Sequence, residues 1–157
     1  MFASVDLGDL NGIFIGARTS TPSGGGEYGL FYTAIPYGSA SATDAWLYGL
    51  QQNSQNRTNL AIVNTGETNS NPDIFRIEIF DGETGLKRNT VDGITVNASR
   101  WVQVGSILAQ YAPETIQGYA HIIRTTGSNP FTAYAVINDG SKPQERSGDG
   151  AFIASTP

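Results

Sequence analysis

Apolar residues in this chain recur at every second position rather than every third or fourth. The clearest run is Ile74-Phe75-Arg76-Ile77-Glu78-Ile79-Phe80, where Phe75, Ile77 and Ile79 alternate with Arg76 and Glu78. A period of two with one polar side marks a strand that is dry on one face and wet on the other. Upstream, Arg57-Thr58-Asn59-Leu60-Ala61-Ile62-Val63-Asn64 is a second run rich in β-branched residues. The polar stretch between them predicts consecutive strands of one antiparallel sheet.

The same texture extends both ways. Residues 12–18 place Ile13, Ile15 and Ala17 opposite Phe14 and Arg18, and the Gly-rich turn at 21–26 leads into residues 28–35, so the two segments predict a hairpin ended by Pro36. Residues 44–50 predict a strand with Trp46, Tyr48 and Leu50 on one face. Residues 86–90 read as a short edge strand, and 93–96 with 100–104 as a short pair. Residues 118–125 and 131–138 predict a second hairpin around Gly127-Ser128-Asn129-Pro130, and residues 5–7 and 151–154 supply strands at the two ends. The one helical stretch is 106–111, with Ile107, Leu108 and Tyr111 on one side and Pro113 just beyond.

About ten to twelve short strands with no sustained helical period predict an all-β fold, a two-sheet antiparallel β-sandwich of immunoglobulin-like or jelly-roll-like build. A length of 157 residues suits one domain over 1–157. Arg18-Thr19, turn, aromatic strand and Ala34-Ile35 echo Arg124-Thr125, turn, Phe131 and Ala135-Val136. The echo is either coincidence or a sign that residues 1–36 carry the closing hairpin of a preceding unit.

Charged residues are 15% of the chain, against roughly 25% in ordinary globular proteins. The net charge of −5 and nine scattered basic residues argue against nucleic acid and anionic membranes as partners. There is no cysteine, which removes disulfides, zinc thiolates and cysteine nucleophiles. The first ten residues lack a signal peptide's basic and apolar regions, so Met1 reads as the start of an excised fragment or processed form. No apolar run approaches the ~18 residues of a membrane helix.

Candidate chemistry is thin. His121 is the sole histidine, on a strand with Tyr119 and Ile123, and no Gly-x-Ser-x-Gly elbow accompanies it. Glu78 is the best strand-borne carboxylate, but its neighbour Arg76 makes a solvated face the simpler reading. Asp81 and Glu83 flank a glycine and are calcium candidates, without the repeated aspartates of an EF-hand loop. The sequence therefore predicts no catalytic residue and no cofactor beyond that calcium alternative.

Asn56-Arg57-Thr58 and Asn97-Ala98-Ser99 match the glycosylation sequon, a cheap coincidence in an Asn- and Thr-rich chain. Arg18 and Arg57 are assigned structural roles at strand ends. The aromatics weigh more. Trp46, Tyr48, Trp101, Tyr28 and Tyr32 are candidates for a sugar-stacking platform, although a chain poor in Leu and Met favours Trp46 and Tyr48 in the core.

Gly16-Ala17-Arg18-Thr19, Gly29-Leu30-Phe31, Ala34-Ile35-Pro36, Gly49-Leu50, the Arg57–Asn64 run, Gly118-Tyr119-Ala120 and Ala133-Tyr134-Ala135 together carry a resemblance. They resemble a β-sandwich module of large secreted bacterial surface proteins, which occurs in tandem or near the C-terminus beside peptidase and other surface domains. The Arg-Thr-Asn-Leu stretch with its trailing Val-Asn is the most specific part. The resemblance implies an extracellular or cell-surface accessory domain that is not an enzyme and offers no catalytic residue to carry over. Its implied partners are other domains of the same polypeptide or copies of itself, with the terminal strands pairing at sheet edges. The alternative is a carbohydrate-binding module using exposed Trp46, Tyr48 and Trp101.

Overall fold

The computed structural model describes residues 14–23, 26–139 and 150–156. Among these residues ten strands and one short helix run in order: β1 (Gly16–Ser23), β2 (Gly26–Thr33), β3 (Asp44–Gln51), β4 (Arg57–Asn64), β5 (Asp73–Asp81), β6 (Lys87–Val96), β7 (Arg100–Val104), α1 (Ile107–Tyr111), β8 (Gln117–Thr126), β9 (Phe131–Asn138) and β10 (Ala151–Ala154). Two four-stranded antiparallel sheets have the orders β10-β9-β4-β7 (sheet one) and β3-β8-β5-β6 (sheet two), and β1 with β2 forms a separate hairpin. The expected all-β, sandwich-like class is what is observed. The strand expected at residues 5–7 lies outside the described residues.

The core forms where the inward positions of the two sheets meet. Sheet two contributes Ala45, Leu47, Leu50, Phe75, Ile77, Ile79, Ala120, Ile122 and Val96; sheet one contributes Leu60, Ile62, Phe131, Ala133 and Ala135. Phe75 and Phe131 meet edge to face across the gap, centroids 4.8 Å apart. Ile107 and Leu108 of α1 are fully buried in the same cluster.

Three pairings expected from proximity in sequence are not formed. β4 and β5 lie in different sheets, as do β6 and β7, and β8 and β9. Each connection arches over the core instead of folding back within a sheet. Alternation fixes which residues share a face, and an arch and a hairpin satisfy it equally. The echo between residues 16–35 and 124–136 is accordingly not structural: β1–β2 is a hairpin and β8–β9 an arch. The segments expected at 86–90 and 93–96 are one strand, β6, interrupted by a bulge at Asp92-Gly93, where Phe75 faces Ile94 but Ile77 faces Val91.

The polar residues of the Arg57–Asn64 run fasten the sheets to each other. Thr58 is buried; its hydroxyl donates to the Gln51 carbonyl and accepts from the Gln51 N–H, both at 2.8 Å. At the other end of β4, buried Asn64 donates to the Val96 carbonyl at 3.0 Å. Asn59 accepts from the Ser106 N–H at the start of α1. Side-chain hydrogen bonds of this kind satisfy backbone groups that the ladders leave open at strand ends.

Two backbone bridges hold the N-terminal side of β3. Ser41, just before the strand, exchanges hydrogen bonds with Phe131, and Trp46, its third residue, does so with Thr156. The β1–β2 hairpin lies on the outer face of sheet one, where Tyr32 packs edge-on against Tyr134 and Phe152. Its other face carries Phe14 stacked on Phe31, both exposed.

Candidate aromatic face on the outer side of sheet two

Strand β3 contains the main departure from the expected facing. Ala45 and Leu47 point into the core, which sends Trp46 and Tyr48 to the outer side. Tyr48 pairs with Tyr119 and Leu50 with Gly118, so Gly49 is an extra residue in β3. Its φ of +80° is a conformation that glycine takes without strain. The bulge resets the alternation and returns Leu50 to the core. Trp46 and Tyr48 are therefore surface residues and Leu50 is not, which corrects the common facing expected of the three.

Outward positions of the neighbouring strands complete a cluster around the two rings. His121 lies in register with Trp46, and its ring stacks on the indole with centroids 3.9 Å apart and planes 6° from parallel. Tyr119 sits opposite Tyr48, centroids 5.8 Å apart, and is itself stacked on Phe80 at 5.0 Å and 3°. The Trp46 and Tyr48 ring planes are 8° from parallel, with centroids 6.1 Å apart.

Phe80, two strands away on β5, has its ring centroid only 6.0 Å from that of Trp46, so the two rings converge over β8 and the cluster spans three strands. At the free edge of β3, Trp46 exchanges backbone hydrogen bonds with Thr156. Tyr48 is 54% exposed.

Polar groups surround the rings. His121 Nε2 is 2.7 Å from Asp44 Oδ2, and Nδ1 is 3.9 Å from Glu78 Oε2. Lys87 Nζ donates to Glu78 Oε1 at 3.1 Å. The His121 contact, then the Thr43 hydroxyl at 2.8 Å, holds the Asp44 carboxyl below its ordinary value. Asp44, Trp46 and Tyr48 consequently form a line of outward side chains along the sheet edge.

The remaining candidates are dispersed. Trp101, 58% exposed, pairs with Val63 on β7 in sheet one, while its neighbours Val102 and Val104 pack on the core. It faces away from the other sheet and does not share a surface with Trp46 and Tyr48. Tyr32 is spent on docking the β1–β2 hairpin, and the Tyr28 side chain lies outside the described residues.

Asp81 and Glu83 are part of a tight turn between β5 and β6. Asp81 Oδ1 accepts from the Glu83 and Thr84 N–H groups and the Thr84 hydroxyl, and Oδ2 accepts from Arg88 at 3.0 Å. The Thr84 backbone and hydroxyl bonds, with Arg88 behind them, pull the carboxyl down to about 2. Among the described residues no group of three or more His, Asp or Glu side chains is placed to hold a metal ion.

Asp44, Phe80, Tyr119, Lys87 and Thr156 belong to the cluster but were not legible as site residues. They come from five separate segments, and only strand register assembles them. No protein family, curated protein or solved structure matches the chain.

Proposed function

We propose that the chain is a non-catalytic carbohydrate-binding β-sandwich of an extracellular or cell-surface protein, with the aromatic cluster around Trp46 and Tyr48 as its binding face. The observation that carries this reading is the gathering of Trp46, Tyr48, Phe80, Tyr119 and His121 on the outer side of sheet two, with Tyr48 54% exposed. An exposed aromatic ring stacks on the C–H face of a sugar ring, and packing against the neighbouring rings holds it in place before a ligand arrives. Asp44 supplies a carboxylate beside the cluster.

The non-catalytic part of the reading is supported by the engagement of the reactive groups. His121, Glu78 and Asp44 are engaged by one another and by Lys87. The extracellular location comes from the sequence resemblance alone.

Self-assembly through sheet edges has weaker support. The β6 edge is broken by its bulge and carries Lys87, Arg88 and Asp92; β7 is five residues long; β3 is bridged to Thr156. Bulges, charges and short length all discourage strand addition.

The test is a glycan array probed with the wild type, Tyr48→Ala and Trp101→Ala. Binding by the wild type and Trp101→Ala, lost in Tyr48→Ala, is the expected result. Absence of glycan binding by the wild type, or its loss in Trp101→Ala alone, refutes the reading.

A further inference from the structure

Resting on the assignment of this face to carbohydrate, we infer that the glycan it selects is cationic: a sugar chain whose units carry a free primary ammonium, as in glucosamine, with the ammonium set against the Asp44 carboxylate and a sugar ring against the aromatic cluster. Strand register places both on one surface. Outward positions of sheet two run Trp46, His121 and Glu78 in one row across the strands, and Tyr48, Tyr119 and Phe80 in the next. Asp44 stands two residues before Trp46 on β3, on the same side of the strand. Short links join it to the exposed ring. Asp44 Oδ2 lies 2.7 Å from the His121 imidazole, that ring is stacked on Trp46 at 3.9 Å, and Tyr48 follows at 6.1 Å. One or two linked sugar units span the interval between Tyr48 and the carboxylate.

The Asp44 carboxylate is ionised and open. Its partners are the Thr43 hydroxyl and the His121 imidazole, which hold it below the ordinary carboxylate value. Lys87 is bound to Glu78 and Arg76 to Asp92, so among the described residues no lysine or arginine answers Asp44. Its side chain is 40% exposed, which leaves carboxylate oxygen available to a ligand.

An ammonium forms a charge-assisted hydrogen bond with such a carboxylate. The faces of the Trp46 and Tyr48 rings attract positive charge as well. A neutral or N-acetylated unit gains neither, and a uronate or sulfated chain meets the like charge of Asp44 and Glu78. The net charge of −5 acts in the same direction at longer range.

The experiment is isothermal titration of the full chain with glucosamine oligosaccharides, their N-acetylated counterparts and cello-oligosaccharides of equal length, in low salt at a pH that protonates the sugar amines. A lysine oligomer of matching charge is the control, and the series is repeated with Asp44→Asn and Tyr48→Ala. The amino series is expected to bind about tenfold more tightly than either neutral series, the scale of one hydrogen bond to a charged group. Added salt should shrink that advantage. Asp44→Asn should bind all three series alike, and Tyr48→Ala should lose about tenfold in each, the scale of one ring contact. Neutral series that bind as tightly as the amino series, or a preference that survives Asp44→Asn, overturn the inference while leaving the carbohydrate face standing. Binding of the lysine oligomer as tight as that of the amino sugars shows attraction of charge without a sugar and overturns it too. Failure of every glycan, here and on the array, overturns both readings together.

Discussion

Gly127 offers a sharp test of how the arches are held. It lies in the β8–β9 connection with φ +106°, and a Cβ built there would overlap Oδ1 and Cγ of Asp73 and come within 2.9 Å of its Cβ. Asp73 is fully buried, and its Oδ2 accepts from the Asn129 N–H at 3.0 Å. Buried Asn129 in turn accepts the Thr68 and Asn69 N–H groups at 3.0 and 2.9 Å, tying the β8–β9 arch to the β4–β5 arch. The methyl of Gly127→Ala therefore has to displace a buried carboxylate. The backbone strain costs about 1–3 kcal/mol, and disturbing the buried hydrogen bonds costs about 1–3 kcal/mol more, so about 4 kcal/mol is expected.

Gly38→Ala is the control. It shares a positive φ, +79°, but has nothing within 4 Å of the new methyl, so only the left-handed penalty of about 1–2 kcal/mol applies. With a urea slope of about 2 kcal/mol/M, the unfolding midpoint should fall by about 2 M for Gly127→Ala and by less than about 1 M for Gly38→Ala. Equal shifts in the two variants would refute the claim that the Asp73 contact, rather than backbone conformation, makes Gly127 necessary.

Phe75→Ala removes the ring that meets Phe131 between the sheets and should cost about 3–5 kcal/mol by urea unfolding; a loss below about 1 kcal/mol would mean that the sheets do not pack through this pair. Asp81 has its folded-state pKa depressed to about 2, so its contribution is fully present above the unfolded value of about 3.9 and is lost as pH falls through about 2. Asp81→Asn should flatten that acid limb, and an unchanged pH–stability curve counts against the turn. An NMR titration of Asp44 should place its midpoint below the ordinary carboxylate value, and His121→Gln should move it back up; no movement would show that His121 is not the main cause. Tyr48→Ala should leave thermal stability nearly unchanged, because the ring is mostly exposed; collapse of the fold would place the ring in a structural role.

Much of the fold was written in the period of the chain. β5 reads inward at Phe75, Ile77 and Ile79 and outward at Arg76 and Glu78, and the structure agrees, because charges mark the middle of only one of its two alternating sets. The short helix was legible from Ile107, Leu108 and Tyr111, and the helix runs over Ile107–Tyr111.

Strand β3 was illegible for the opposite reason. Both of its alternating sets are apolar, Ala45 with Leu47 and Trp46 with Tyr48, so the period names two faces without saying which is buried. Tertiary structure decided it. The narrow space between the sheets takes Ala45 and Leu47, and the Gly49 bulge then turns Leu50 inward as well. Sheet membership was equally beyond the sequence, since an arch and a hairpin present identical alternation and only packing against the opposite sheet separates them. The sequence by itself thus determined which residues share a face; the assembled sheets determined which face meets water, and with it where an aromatic cluster gathers.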